Sequence, residues 1–213
     1  MTRIAGLRAL PPHSQRNKGT DMKRIIASVL TAALLASSPA LAAGKGYLKD
    51  HDFSFDGMFG AYDQGELQRG YQIYEQVCAA CHGMKHVPFR TLGDKNGPGF
   101  SDAEVKAIAA NFEVPDEEGD PGDTRPAKPF DYFPTPLASG NPPDMSLLAK
   151  ARAGGPLYIY SIMLGYTGEE KEVGGAFLYE NKAYGGYFGM AQPIYEEDVE
   201  YADGTPETLE QYA

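Results

Sequence analysis

Cysteine is scarce in this chain: Cys78 and Cys81 are the only two in 213 residues, too few for a disulfide scaffold. Basic residues are also in short supply. Nineteen Lys and Arg face 29 Asp and Glu for a formal net charge of −10, which excludes a nucleic-acid surface and points to a basic partner. No internal repeat and no βαβ pattern is present. Beyond residue 43 no apolar run approaches the roughly 18 residues that a membrane-spanning helix needs. Glycine and proline are abundant instead: Gly 25 and Pro 16 make up about a fifth of the chain, against an average of about an eighth. That composition predicts a loop-rich fold of short elements. A hydrophobic share of 42% with 23% charged residues excludes both a disordered chain and a membrane bundle, and the length suits one domain.

The N-terminal region reads as a targeting segment. Met22-Lys23-Arg24 forms a basic start, Ile25 to Ala36 is a 12-residue stretch dominated by apolar side chains, and Ala40-Leu41-Ala42-Ala43 offers a small-x-small cleavage site. This is the pattern of a secretory signal peptide, so residues 1–21 read as an upstream extension, 22–43 as the signal and 44–213 as the exported domain. Cleavage after Ala42 would remove six basic residues (Arg3, Arg8, Arg16, Lys18, Lys23, Arg24) and one acidic residue, Asp21. It would leave 13 basic and 28 acidic residues, a formal −15 over 171 residues. At the other end Thr205-Pro206-Glu207 reads as N-cap, proline at N1 and an acidic first turn. The helix it announces meets Ala213 after about two turns, too few to hold alone, so the chain reads as truncated at its C-terminus.

Caps and breakers organise the rest. Asp63 and Glu66 form a capping-box-like start, and Leu67, Tyr71, Tyr74 and Cys78 recur at helical spacing, which carries a helix into the cysteine motif. A second helix is expected from Ser101, with Glu104 three residues on, to Phe112. Residues 113–144 hold eight prolines and an acidic run, predicting an exposed loop without its own core. Asp144 or Ser146 is expected to cap a third helix, ended by Gly154-Gly155. Pro156 opens a fourth, Leu157 to Leu164. From Gly174 to Pro193 the chain is rich in Gly and Tyr and reads as irregular or weakly extended.

The chemistry lies in Cys78-Ala79-Ala80-Cys81-His82. Cys-x-x-Cys-His is the attachment pattern of c-type haem: both thiols add to the vinyl groups, and the adjacent His82 lies under the iron as proximal ligand. A thioredoxin-like dithiol would start a helix within a βαβ context, whereas this pair ends one. A zinc site would need a second pair of ligands at plausible spacing, and none exists. One motif means one haem, which counts against a di-haem peroxidase. The sixth ligand is less clear from the residues. Met84 and His86 lie too near His82 to reach the opposite face, and Met145 and Met163 sit in helical apolar patterns where methionine fills cores. Met190, in the irregular segment Gly189-Met190-Ala191-Gln192-Pro193, competes with His51 and with an open coordination site.

Longer stretches carry a resemblance. Arg69-Gly70-Tyr71-Gln72-Ile73-Tyr74, Met84-Lys85, Phe89-Arg90-Thr91-Leu92, Asn141-Pro142-Pro143-Asp144-Met145-Ser146, Lys150-Ala151-Arg152 with Gly154-Gly155, and Leu164-Gly165-Tyr166 resemble cytochrome c1. So do Gly189 through Tyr195 and Asp203-Gly204-Thr205-Pro206. The resemblance covers essentially the whole exported chain in one order. It implies the haem subunit of the cytochrome bc1 complex (ubiquinol:cytochrome c oxidoreductase), a redox subunit with no catalytic site of its own. The implied head domain is mostly α, a class I cytochrome c-like helical domain with long irregular insertions. It implies a Rieske iron–sulfur protein as donor, cytochrome b as co-subunit and a soluble basic cytochrome c as acceptor, at the periplasmic face of a bacterial inner membrane.

By the same resemblance Cys78 and Cys81 are the thioether attachments, His82 the proximal ligand and Met190 the axial methionine. Arg152 falls on the arginine that pairs with a haem propionate, a task suited to a guanidinium fork. Tyr158 and the Pro142-Pro143 pair fall on haem-pocket positions. Two departures stand out. The family's C-terminal transmembrane helix lies past the point where this sequence stops, and without a third cysteine the extra disulfide of some bacterial relatives cannot form. A free soluble class I cytochrome shuttle is the alternative. It would share the haem chemistry but lack the 113–144 insertion and the Pro142-to-Arg152 block.

Overall fold

Asp63 opens the helix that leads to the haem motif. Its carboxylate accepts the Glu66 amide at 2.9 Å, satisfying one of the amides that a helix start leaves unpaired, and α1 runs Gln64–Gln76. The Glu66 carboxylate turns outward to accept the Ser54 hydroxyl at 2.7 Å instead of closing the box. The computed structural model describes residues 46–136 and 141–213, which fall within one compact unit, Ala43–Ala213. The proposed extension and signal lie outside the described residues.

After α1 the backbone tightens into a 3-10 turn, Cys78–Ala80, and a second 3-10 segment spans Phe89–Gly93. Ser101 and Glu104 form the expected capping box at the start of α2, Asp102–Ala110. A short antiparallel pair follows, β1 (Glu113–Pro115) with β2 (Thr124–Pro126). Then come α3 (Leu148–Ala151), α4 (Pro156–Met163, with proline in its first turn), an antiparallel sheet of β3 (Tyr166–Val173), β4 (Ala176–Asn181) and β5 (Gly186–Phe188), and α5 (Leu209–Tyr212). Among the described residues no helix is long and apolar enough to cross a membrane.

α1 lies between two cores. Tyr71 and Tyr74 enter the first with Phe89, Leu92, Val105, Ala109, Val114, Ala127 and Phe133. Ile73 enters the second with Ile194, Val199, Tyr201 and Tyr212, and Cys78 packs against both. The first core is largely aromatic: Phe133 meets Phe89 at 4.0 Å between ring centroids and stands edge-on to Tyr74 at 5.4 Å and Phe112 at 5.5 Å. Such pairs add about 0.5–1.5 kcal/mol each beyond the area they bury.

Four expectations need correction. Residues 113–144 are not a coreless loop: Val114, Ala127 and Phe133 are buried, Arg125 grips Asp131 through two hydrogen bonds at 2.7 and 3.1 Å, and the Phe89 and Arg90 amides donate to the Asp131 and Pro129 carbonyls. Neither Asp144 nor Ser146 caps α3. Leu147 stands at that position without a side-chain bond, because both acceptors are spent on the haem-motif segment. The stretch from Gly174 to Phe188 is largely β-sheet, turned at Gly174-Gly175 with φ +61 and +83, the left-handed pair a tight hairpin demands. The sheet moderates the mostly α expectation, since five helices and five strands are present among the described residues. Finally, the last helix begins at Leu209 with Thr208 at the N-cap position, not at Pro206 after Thr205. It is held by Tyr212, whose hydroxyl donates to the Val199 carbonyl at 2.7 Å and accepts the Val199 amide at 3.2 Å.

Candidate haem-attachment site

Tight backbone geometry gathers the motif. The amides of Cys81 and His82 both donate to the Cys78 carbonyl, at 3.0 and 2.8 Å, which folds the five residues into one compact turn. Cys78 is half-buried and Cys81 exposed, and the two are not disulfide-bonded. Burial, then the neighbouring Cys81, pushes the Cys78 thiol up to about 11. That keeps Cys78 protonated near neutral pH, away from the thiolate that a nucleophilic cysteine needs.

His82 is held at both ends. The Tyr74 hydroxyl donates to its backbone carbonyl at 3.0 Å, and its ring Nδ1 lies 2.8 Å from the Pro143 carbonyl oxygen. A carbonyl can only accept, so Nδ1 carries the proton and Nε2 keeps its lone pair. That is the tautomer and orientation an iron-binding imidazole needs, fixed from outside by a backbone acceptor. The structure therefore joins two residues singled out in the sequence, His82 and Pro143.

A strap of hydrogen bonds keeps Pro143 in place. The Lys85 amide donates to Asp144 Oδ2 at 2.9 Å, the His86 amide to Ser146 Oγ at 3.0 Å, and the Met145 amide to the Gly83 carbonyl at 2.8 Å. Asp144 also accepts the Ser146 amide at 3.0 Å. Burial tends to raise the Asp144 carboxyl, but the Lys85 amide and the Ser146 hydroxyl and amide outweigh it and hold the group below its usual range. The Arg125 hydrogen bond, against burial and aided by the Lys128 amide, does the same for Asp131. A carboxyl lowered in the folded state adds stability above its unfolded value of about 3.9 and loses it as pH falls through the folded one. The urea midpoint, followed by far-ultraviolet circular dichroism, is expected to hold from pH 7 to 5 and to drop below about pH 4. Asp144→Asn and Asp131→Asn should each flatten that drop, and a midpoint as acid-sensitive in both variants as in the parent would contradict it.

The other singled-out residues are more dispersed. Met190 is half-buried just past β5, its carbonyl accepting the Tyr166 hydroxyl at 3.1 Å. Arg152 is exposed, and among the described residues its guanidinium makes one hydrogen bond, a 3.4 Å contact to the adjacent Ala151 carbonyl. Tyr158 is half-buried on α4. Among the rivals for the sixth ligand, His51 stacks on Tyr160 at 4.4 Å and meets Phe53 edge-on at 4.7 Å, while Met84, Met145 and Met163 pack against the two cores. Two surface clefts of about 510 and 550 Å³ contain none of the eight residues assigned to the haem. The chemistry lies elsewhere. Sequence reading missed Tyr74, Tyr166 and the strap function of Asp144 and Ser146. Each acts on a backbone atom distant in sequence, and no local pattern reports that.

A turn that presents two thiols beside an imidazole locked with Nε2 free defines a c-type cytochrome. Comparison with known proteins narrows the class. The profile described as the Cytochrome C1 family matches residues 53–213. Cytochrome c1 of Cereibacter sphaeroides is 38% identical over 86% of this chain and 77% of its own, and that of Rhodospirillum rubrum 39% identical over 90% and 82%. A cytochrome b/c1 of Bradyrhizobium diazoefficiens is 37% identical over 76% of this chain and 28% of its own. The chain belongs to the cytochrome c1 family. It is an electron-transfer c-type cytochrome with one covalent haem, a redox subunit of the bc1 complex without a catalytic site of its own. That decides against the free soluble shuttle.

Proposed function

We propose that the protein accepts electrons from a Rieske iron–sulfur protein and passes them to a soluble basic cytochrome c, beside a cytochrome b, at the periplasmic face of the membrane. Export rests on the signal pattern of residues 22–43, and membrane attachment on the C-terminal helix expected of the family. A relative whose printed name joins cytochrome b and c1 supports cytochrome b as neighbour. The head domain, residues 44–213, is read as a class I cytochrome c-like fold with the β1–β2 and β3–β5 elements as insertions.

The observation that carries this reading is the 2.8 Å contact between His82 Nδ1 and the Pro143 carbonyl. When bound, the haem supplies one-electron ferric/ferrous chemistry, and the chain's own residues set its properties. Cys78 and Cys81 hold it covalently. His82 would hold the iron through Nε2 and Met190 through its thioether, a pairing that would raise the potential above bis-imidazole ligation. Arg152, with no ion-pair partner in the protein's described residues, is free to meet a propionate through its guanidinium fork. Tyr158, Pro142 and Pro143 line the pocket and exclude water, which disfavours the more charged oxidised state.

Rapid mixing tests the direction of flow. The oxidised protein should be reduced by a reduced Rieske domain, and the reduced protein should then be oxidised by a basic cytochrome c faster than by an acidic one. Failure of either transfer with the haem intact would contradict the proposal.

A further inference from the structure

The segment that carries Met190 is sparsely tethered. Among the described residues no backbone–backbone hydrogen bond involves residues 189–193, and Gln192 bonds only locally, to the Ile194 carbonyl at 3.1 Å. One side chain from elsewhere reaches the segment: the Tyr166 hydroxyl lies 3.1 Å from the Met190 carbonyl oxygen and 3.2 Å from that of Ala191. A phenol has one proton, so two acceptors at these lengths share it in a three-centre bond. Burial, then Tyr195, pushes the phenol well above its ordinary value, and it stays a donor at any physiological pH.

Tyr166 itself is firmly seated. It opens β3 opposite Asn181, directly after Gly165, whose carbonyl accepts the Lys182 amide at 2.9 Å. Gly165 is buried, and a Cβ there would come within 2.5 Å of Asn181 Oδ1 and 2.7 Å of the Ser161 carbonyl. Fully buried Asn181 bonds the Ile162 carbonyl and the amides of Ala183 and Tyr184, knitting the end of α4 to the end of β4. The Tyr166 ring then stacks on Phe188 at 5.8 Å, and Phe188 on Tyr184 at 4.9 Å. A rigid junction thus presents one hydroxyl to an otherwise loose loop.

We infer that Tyr166 is a positioning residue for Met190: its hydroxyl clamps the Met190 and Ala191 carbonyls to the α4–β3 junction and so fixes the direction from which the thioether approaches the iron. The inference rests on Met190 being the axial ligand. Tyr166→Phe removes only the oxygen and keeps the stack on Phe188. An ordinary hydrogen bond is worth up to about tenfold in an equilibrium, so its loss lets an added ligand compete with the thioether more easily.

The experiment titrates imidazole into the ferric, haem-loaded parent, Tyr166→Phe, Phe188→Leu and Met190→Ala proteins, reading the weak red-end absorption of the sulfur–iron bond. Hydrogen exchange at the Ala191 and Gln192 amides is measured alongside. Tyr166→Phe should bind imidazole about five- to tenfold more tightly and exchange faster at those amides. Phe188→Leu, which keeps the hydroxyl, should change both less, and Met190→Ala should lack the absorption outright. A parent-like Tyr166→Phe beside an altered Met190→Ala would overturn the clamp alone. A Met190→Ala protein with unchanged absorption would instead overturn the ligand assignment beneath it. Equal effects of Tyr166→Phe and Phe188→Leu, or a Tyr166→Phe chain that does not fold, would make Tyr166 a packing residue and also overturn the clamp.

Discussion

Met190→His is expected to keep the covalent haem and to lower its reduction potential by on the order of 0.2 V, within the roughly 0.8 V that axial ligands span. The direction follows from ligand character. A thioether is a weak donor that tolerates the ferrous state, whereas imidazole stabilises the ferric state. The covalent bonds at Cys78 and Cys81 do not involve residue 190, and the His82 side is set independently by the Pro143 carbonyl, so loading should persist. His51→Ala, which removes a ring already stacked on Tyr160 and edge-on to Phe53, should leave the potential unchanged. Potentiometric titration of both variants decides the matter. A parent-like potential for Met190→His would return Met190 to the role of loop filler.

Electron transfer from the reduced protein to a basic cytochrome c is expected to slow about tenfold or more between low and high salt. Residues 43–213 carry a formal −15, and their acids concentrate in three groups: Asp116 to Asp123, Glu169-Glu170-Glu172, and Glu196-Glu197-Asp198 with Glu200 and Asp203. The groups are not equivalent. Asp116 and Asp123 accept amides within the β1–β2 turn, Asp198 accepts the Tyr195 amide, and Asp203 pairs with Arg69 at 2.8 Å. Glu169, Glu170 and Glu172 instead line exposed β3. Steering acts over a Debye length of about 8 Å at physiological salt, so this exposed group, with no ion pair among the described residues, has the most to lose from screening. Reversing its charge to lysine should flatten the salt dependence and leave the potential nearly unchanged. If rates stay indifferent to salt in the parent and in variants neutralising each group in turn, the acidity serves solubility alone.

What could be read beforehand was local chemistry. Cys78, Cys81 and His82 declare themselves by spacing, and the Ser101–Glu104 box and Pro156 mark helix starts because capping and proline act within one turn. The β3–β5 sheet left no such trace. Six of the eight residues of β3 are exposed, so neither face selects apolar side chains and the alternation that betrays a strand never develops. Asp144 and Ser146 look like helix caps, yet their acceptors are taken by the amides of Lys85 and His86 about sixty positions earlier. The acceptor for His82 is a backbone oxygen, which any residue at 143 carries, so identity alone could not reveal it. Tyr166 reaches its target 24 positions on. Long-range bonds to main-chain atoms are the part of this site that sequence patterns do not encode.

The proposed function requires one haem held by His82 and Met190. A proton spectrum of the reduced, diamagnetic protein tests it most directly, because a methyl group bound over the haem plane is shifted far upfield by the ring current. A three-proton signal upfield of all others, present in the parent and absent in Met190→Ala, is the result expected; a parent spectrum without that signal, or a signal that survives the substitution, would contradict it.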